Sequence, residues 1–127
     1  MSKNGKKVLI IDDEAQERAA LTRKIEQAGF KTIEAKDGIE GLESALKNHP
    51  DLVLLDIVLP KLNGIEMAKQ LRQDVWGKSV PIIILSNLSD QEETAEALEQ
   101  DVLDFLVKSD SRLEDVIELI ERKIGSN

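Results

Sequence analysis

Short apolar segments recur along the chain at fairly even intervals, and each is rich in valine, isoleucine and leucine. They cover residues 8–11, 52–55, 82–85 and 105–107. Because the apolar residues are consecutive rather than alternate, these segments are typical of strands in a parallel sheet that helices cover on both faces. A weaker segment at residues 32–35 predicts a fifth strand between the first two.

Segments with helical spacing lie between and after these strands. Leu21, Ile25 and Ala28 predict the first helix, and Gly29 follows where a C-terminal cap is expected. The second apolar stripe contains Ile39, Leu42, Ala45 and Leu46 and is ended by Pro50, and the third contains Ile65, Ala68 and Leu71. A capping box at Ser89 and Glu92 opens the helix with the fourth stripe, Ala95 and Leu98. A capping box at Ser111 and Glu114 opens the helix with the fifth stripe, which contains Leu113, Val116, Ile117, Ile120 and Ile124. Five strands alternating with five helices predict a doubly wound parallel α/β fold with right-handed crossovers.

Size and charge narrow the class of protein. A chain of 127 residues fits one domain, residues 1–127. The net charge of −8 predicts no direct contact with nucleic acid or with an anionic membrane, and the absence of cysteine excludes disulfides and thiolate metal sites. The apolar run after Lys7 is too short for a signal peptide or a membrane span, so we expect a soluble, cytoplasmic protein.

Polar residues stand at the ends of the predicted strands. Asp12 and Asp13 follow the first strand, Asp56 the third, Ser86 the fourth and Lys108 the fifth. Ligands of open α/β sheets bind at the carboxyl ends of the strands, so we expect these side chains to converge. Three clustered carboxylates would repel one another by about 4 kcal/mol per pair at an effective dielectric near 20. A divalent cation that prefers oxygen ligands, such as Mg²⁺, would relieve that repulsion, and the lysine and serine would suit a phosphoryl group.

These residues, in this order and at these separations, resemble the response-regulator receiver domains of two-component signal transduction. Pro60 and Gly64, four and eight residues after Asp56, add to the resemblance, which covers residues 7–123. It implies a flavodoxin-like (βα)5 three-layer sandwich with the strand order 2-1-3-4-5.

The resemblance also implies a phosphoacceptor site. Asp56 would accept a phosphoryl group from a histidine kinase or a histidine phosphotransfer protein. Asp13, Asp56 and the main-chain carbonyl of Val58 would hold Mg²⁺, and Asp12 would act mainly through a coordinated water. The domain would assist its own phosphorylation and dephosphorylation without being an enzyme in the usual sense.

The same resemblance implies a conformational switch. Lys108 would pair with the phosphoryl oxygens, Ser86 would hydrogen-bond to them, and Phe105 would rotate inward. The surface formed by the fourth predicted helix, the fifth strand and the fifth helix would then bind a downstream protein, as a monomer or through a weak dimer. We expect a stand-alone switch, although a fragment of a larger regulator or of a hybrid kinase remains an alternative.

Three features differ from the usual receiver pattern. Ser109, rather than proline, follows Lys108, and a cis bond before a non-proline residue costs roughly 3 to 4 kcal/mol. Asn87 replaces a small residue, which can alter access to the phosphoryl group. Asp101 stands where a left-handed glycine is usual, and aspartate tolerates that conformation better than most residues.

The residue types also allow other interpretations of the site. Asp12 and Asp13 could act as helix N-caps. A Mg²⁺-dependent phosphatase of the haloacid dehalogenase type would carry its nucleophile in an Asp-x-Asp pattern, which the adjacent pair does not form. A flavin carrier would need a phosphate loop without this negative charge. We expect His49 to be exposed and Trp76 to be a partly buried loop anchor.

Overall fold

A parallel sheet of five strands is the centre of the molecule in the computed structural model, which describes residues 5–56, 61–86, 105–108 and 113–125, with the backbone alone for residues 86 and 105–108. The strands are β1 (Lys7–Ile11), β2 (Lys31–Ala35), β3 (Leu52–Asp56), β4 (Ile82–Ser86) and β5 (Phe105–Lys108). Their order is β2-β1-β3-β4-β5, and every neighbouring pair is parallel. The predicted strands and their order are confirmed.

Helices in the described ranges flank this sheet. They are α1 (Ala15–Gln27), α2 (Gly38–Asn48), α3 (Gly64–Arg72) and α4 (Leu113–Ile120), with a 3₁₀ turn at Trp76–Lys78 and a wider π-type turn at Glu121–Gly125. Gly29 has a φ of 105°, which confirms its predicted place after α1. The predicted helix that begins near Ser89 and the capping residue Ser111 lie outside the described residues.

Alternate residues of β1, β3 and β4 enter two separate hydrophobic layers. The layer under α2 and α3 contains Leu9, Ile11, Val53, Leu55, Ile82 and Ile84, together with Ala45, Ile65, Ala68 and Leu71. The layer under α1 and α4 contains Val8, Ile10, Leu52, Leu54 and Ile83, together with Leu21, Ile25, Val116, Ile120 and Ile124. Both faces of the sheet are therefore buried along these three strands, as their consecutive apolar residues predict.

The apolar stripe predicted for α2 is partly wrong. Ile39 is 45% exposed and Leu46 is 39% exposed, whereas Gly41 and Ala45 are buried. A Cβ atom on Gly41 would lie 2.5 Å from the Cδ1 atom of Ile11. The glycine lets α2 approach β1 closely, and the helix therefore turns its small residues, rather than its largest apolar ones, toward the sheet.

Two residues before α3, Lys61 and Leu62, pack against the beginning of α2. Asp37 caps α2 by accepting a hydrogen bond of 2.7 Å from the Glu40 amide, and its other oxygen lies 3.5 Å from Lys61 Nζ. The cap and the Lys61 ammonium both lower the pKa of Asp37, and the cap is the larger effect. A Cβ atom on Gly38 would lie 1.7 Å from the Leu62 carbonyl oxygen, so only glycine fits there.

Two aromatic rings meet at the opposite end of the sheet. His49 ends α2 with a φ of 47°, and its ring stacks on that of Trp76 with centroids 4.4 Å apart. His49 is exposed and Trp76 is half-buried, so both predictions for these residues are confirmed. Neither residue lies at the strand ends that carry the acidic residues.

Candidate functional site

Three carboxylates meet at the carboxyl end of the sheet. Asp12 and Asp13 follow β1 directly, and Asp56 is the last residue of the adjacent strand β3. Each offers an oxygen, and these oxygens lie within 4.8 Å of one another. Asp12 is 1% exposed, Asp56 is half-buried and Asp13 is exposed, so the cluster opens to solvent on one side. The predicted convergence of the three acids is confirmed.

The Asp12 backbone and one of its carboxylate oxygens are held by three neighbours. The Asp12 amide donates to the Ala35 carbonyl at 3.1 Å, and its own carbonyl accepts from Arg18 Nη1 at 2.7 Å. Asp12 Oδ1 accepts from the Glu14 amide at 2.9 Å. Within the described part of the chain, the buried Oδ2 atom receives no hydrogen bond. A buried carboxylate oxygen without a donor is suited to a cation.

The N-cap interpretation of Asp12 and Asp13 is wrong. Glu14 occupies the N-cap position of α1, and its side chain makes no capping hydrogen bond. Asp12 instead bonds to the Glu14 amide, two residues ahead of it, which shapes the turn between β1 and α1. The two aspartates therefore lie before the helix and at the strand end.

Glu17, in the first turn of α1, is a fourth acidic residue near the cluster. Its pKa is raised to about 8, mainly because the protonated form can share its proton with the Asp12 side chain. Partial burial and the negative charges of Asp12, Asp56 and Glu14 raise the pKa further. The strand-end pattern does not indicate this residue because it lies on a helix; its place in the first turn of the helix that follows the acidic end of β1 would have indicated it.

The donor set fits Mg²⁺. Opposite oxygen ligands of this ion lie about 4.2 Å apart when each is at about 2.1 Å, close to the spread of the three carboxylates. Hard oxygen donors without nitrogen or sulfur are also those that Mg²⁺ prefers. The crowded negative charge and the unbonded Asp12 Oδ2 both favour a divalent cation here.

The backbone of β4 and β5 places two further predicted residues near each other. Ser86 and Lys108 are direct partners in the register of these strands, and both are the last residues of their strands. Phe105 is the first residue of β5. The side chains of these three residues, and all of Val58, Asn87, Asp101 and Ser109, lie outside what the structure describes, so their roles stay predictions.

No helix in the described ranges has both the length and the apolar character to cross a membrane. The cytoplasmic location stays a prediction.

Similarity to known proteins was found at the levels of family, sequence and structure. The model of the response regulator receiver domain family matches residues 8–121. The chain is 35% identical over 127 residues to the probable transcriptional regulator ycf27 of Porphyridium aerugineum, covering 95% of this chain and 52% of that protein. It is 33% identical over 102 residues to protein PilH of Pseudomonas aeruginosa, covering 80% of this chain and 84% of that protein.

A crystal structure of chemotaxis protein CheY4 from Vibrio cholerae superposes with a TM-score of 0.84 at 26% identity, covering 93% of this chain and 98% of that one. The chain spans about half the length of the first curated relatives it matches. Several of these are named as transcriptional regulators, so the relatives give no support to the predicted absence of nucleic-acid binding. The family match, the strand order and the clustered carboxylates show that this chain belongs to the response regulator receiver domains, the phosphoacceptor domains of two-component signalling.

Proposed function

We propose that Asp56 accepts a phosphoryl group from a histidine kinase or a histidine phosphotransfer protein in a Mg²⁺-dependent reaction. The observation that carries this proposal is the meeting of Asp12, Asp13 and Asp56 within 4.8 Å at the end of the sheet. Asp56 is half-buried at the end of β3, so a phosphodonor can approach it from the open side of the cluster. The family match supports the same assignment.

Each acid has a separate task in this proposal. One Asp56 carboxylate oxygen attacks phosphorus, the bond from phosphorus to the donor breaks, and an acyl phosphate forms on Asp56. Asp13, Asp56 and the Val58 carbonyl would hold Mg²⁺, with Asp12 contributing through water. The bound ion would offset the negative charge that the phosphoryl group brings to a site that is already acidic.

The readout would come from Lys108, Ser86 and Phe105. A phosphoryl group adds about −1.5 to −2 charge, which a lysine ammonium and a serine hydroxyl at the same sheet edge can bind. The register of Ser86 with Lys108 supports their joint action. Inward rotation of Phe105 would change the surface of β5 and of the helices beside it, where a target protein or a second copy in a weak dimer would bind.

Intact mass spectrometry tests the phosphoacceptor assignment. The protein is incubated with Mg²⁺ and a small acyl phosphate or phosphoramidate, and we expect a single phosphoryl adduct. Chelation of Mg²⁺ or Asp56→Asn should abolish it. Asp51→Asn is the matched control, because Asp51 lies just before the other end of β3, where it accepts a hydrogen bond from the Lys7 amide.

An adduct that persists in Asp56→Asn would contradict the assignment of this residue. Hydrolysis of many equivalents of a phosphate ester without a stable adduct would favour a phosphatase instead.

Lys108→Ala tests the proposed switch. We expect it to leave Mg²⁺ binding near normal but to remove the difference in partner affinity between the phosphorylated and unphosphorylated protein. Unchanged coupling in this variant would show that Lys108 does not transmit the signal.

A further inference from the structure

Arg18 links the acidic cluster to a neighbouring strand. Its Nη1 atom donates to the main-chain carbonyl of Asp12 at 2.7 Å, and its Nε atom donates to Glu34 Oε1 at 2.9 Å. Glu34 belongs to β2 and is the register partner of Ile10, two residues before Asp12. One side chain of α1 therefore connects the end of β1 with β2, immediately beside the carboxylates.

The Asp12 carbonyl needs such a donor. Helix α1 begins at Ala15, and the Arg18 amide donates to the Glu14 carbonyl, so the carbonyl of Asp12 lies outside the helical hydrogen bonds. Asp12 is almost fully buried, and water cannot readily replace a lost partner. The guanidinium group supplies the donor from within the fold.

The planar guanidinium makes this contact directional. Glu34 is 46% exposed at its side chain and Arg18 is 19% exposed, so the pair contributes little as an ion pair alone. Its geometry matters more, because a guanidinium held through Nε has its Nη1 branch fixed in direction. Glu34 thus orients the branch that holds Asp12, and a lysine at position 18 could not reproduce both contacts.

We propose that Arg18, oriented by Glu34, is a positioning residue that aims Asp12 Oδ2 at the cation site, where it would act on the ion mainly through a coordinated water. With its amide, its carbonyl and Oδ1 all bonded, Asp12 can turn little, and Oδ2 is the oxygen that remains. This inference rests on the proposed function, since it assigns the cation to the acidic cluster. It concerns affinity for Mg²⁺ and not the attack by Asp56.

The test measures Mg²⁺ dependence in two ways on the full chain. Titration calorimetry with MgCl₂ gives the dissociation constant of the unphosphorylated protein, and adduct formation at varied Mg²⁺ separates the half-saturating concentration from the maximal rate. For Arg18→Met we expect both Mg²⁺ constants to rise about tenfold, as is typical when a group that orients the surroundings of a metal site is lost, with the maximal rate unchanged. Glu34→Ala should cause a smaller rise, and Arg18→Lys should not restore the wild-type value.

Arg72→Met is the matched control. Arg72 Nη1 also donates to main-chain carbonyls, those of Gly77 and Val80, but this contact lies before β4 at the opposite end of the sheet. We expect Arg72→Met to lower thermal stability and to leave both Mg²⁺ constants unchanged.

Wild-type Mg²⁺ constants in Arg18→Met and Glu34→Ala would overturn the inference, as would an equal change in Arg72→Met. If Arg18→Met does not fold, Glu34→Ala decides alone, because its side chain is largely at the surface. A wrong proposed function gives a different result. The wild-type protein would then form no Mg²⁺-dependent adduct, while calorimetry would still measure the effect of Arg18→Met on the Mg²⁺ dissociation constant.

Discussion

Asp13 is the member of the acidic cluster whose removal should stabilise the fold in the absence of a cation. It is exposed, so Asp13→Asn creates no cavity and leaves no buried group without a partner. The substitution removes its repulsion with Asp12 and with Asp56, whose oxygens lie within 4.8 Å. We therefore expect a more stable protein in EDTA.

The distances bound the size of this effect. At 4.8 Å, two unit charges repel by about 0.9 kcal/mol in water and by about 3.5 kcal/mol at an effective dielectric of 20. The repulsion of Asp13 with Asp12 and with Asp56 would then total about 2 to 7 kcal/mol. Because Asp13 is exposed to solvent, we expect a value at the lower end of this range. We expect a gain of about 2 kcal/mol in the free energy of unfolding, or roughly 5 to 10 °C in melting temperature for a domain of this size.

Urea unfolding in EDTA and in excess MgCl₂ measures the effect. The wild-type protein should gain stability from Mg²⁺, by about 2.7 kcal/mol at a concentration one hundred times its dissociation constant, and Asp13→Asn should gain less because it has lost a ligand. Glu43→Gln, an exposed change on α2, is the control and should alter stability by less than about 0.5 kcal/mol. If Asp13→Asn is no more stable than wild type in EDTA, the carboxylates do not repel one another as their distances indicate.

Three further changes test the surroundings of the site. The pKa of Glu17 is raised from 4.5 to about 8, so its contribution to the free energy of unfolding is present at low pH and is lost as the pH rises. In urea unfolding with EDTA, the wild-type protein should therefore lose stability relative to Glu17→Gln between about pH 5 and pH 8. Parallel pH curves for the two proteins would contradict this. Asp37→Ala removes the cap on the Glu40 amide and should lower the free energy of unfolding by about 1 to 2 kcal/mol at pH 7. Because the pKa of Asp37 is lowered, this loss should shrink as the pH falls below 3.8. A loss that does not depend on pH would contradict this prediction. Gly38→Ala would place a Cβ atom 1.7 Å from the Leu62 carbonyl oxygen and should lower the free energy of unfolding by about 2 kcal/mol or more, whereas an unchanged urea midpoint would show that the loop moves freely.

Strands β1, β3 and β4 could be predicted because nearly all of their residues are buried. Leu9 and Ile10 face opposite helical layers, yet both are fully buried, so a run of apolar residues identified the strand without regard to its two faces. Helix α2 was harder, because close approach of Gly41 to Ile11 decides which side of the helix is buried. The spacing of hydrophobic residues identifies a helix face with large apolar side chains. It does not detect a face that is buried because its residues are small.

The acidic residues at the strand ends were predictable for a related reason. In a parallel sheet, the ends of β1 and β3 lie at the same edge, so Asp12, Asp13 and Asp56 could be brought together from strand positions alone. Arg18 and Glu34 could not, because their contact depends on the register between β1 and β2 and on the direction of a long side chain from α1. Such contacts follow from the folded geometry and leave no spacing pattern in the chain.

The cluster combines repulsion with rigidity, and the two have different origins. The carboxylates of Asp12, Asp13 and Asp56 are held close by the sheet, and their mutual repulsion is a cost that the buried core must offset. The bonds to Asp12 from Glu14 and Arg18 prevent its carboxylate from turning away to relieve that repulsion. A cation that binds there removes this repulsion, and its ligands are already ordered before it binds. The variants Asp13→Asn and Arg18→Met separate the repulsion from the rigidity. Asp13→Asn removes a charge from the cluster, whereas Arg18→Met keeps every carboxylate but leaves Asp12 less firmly held.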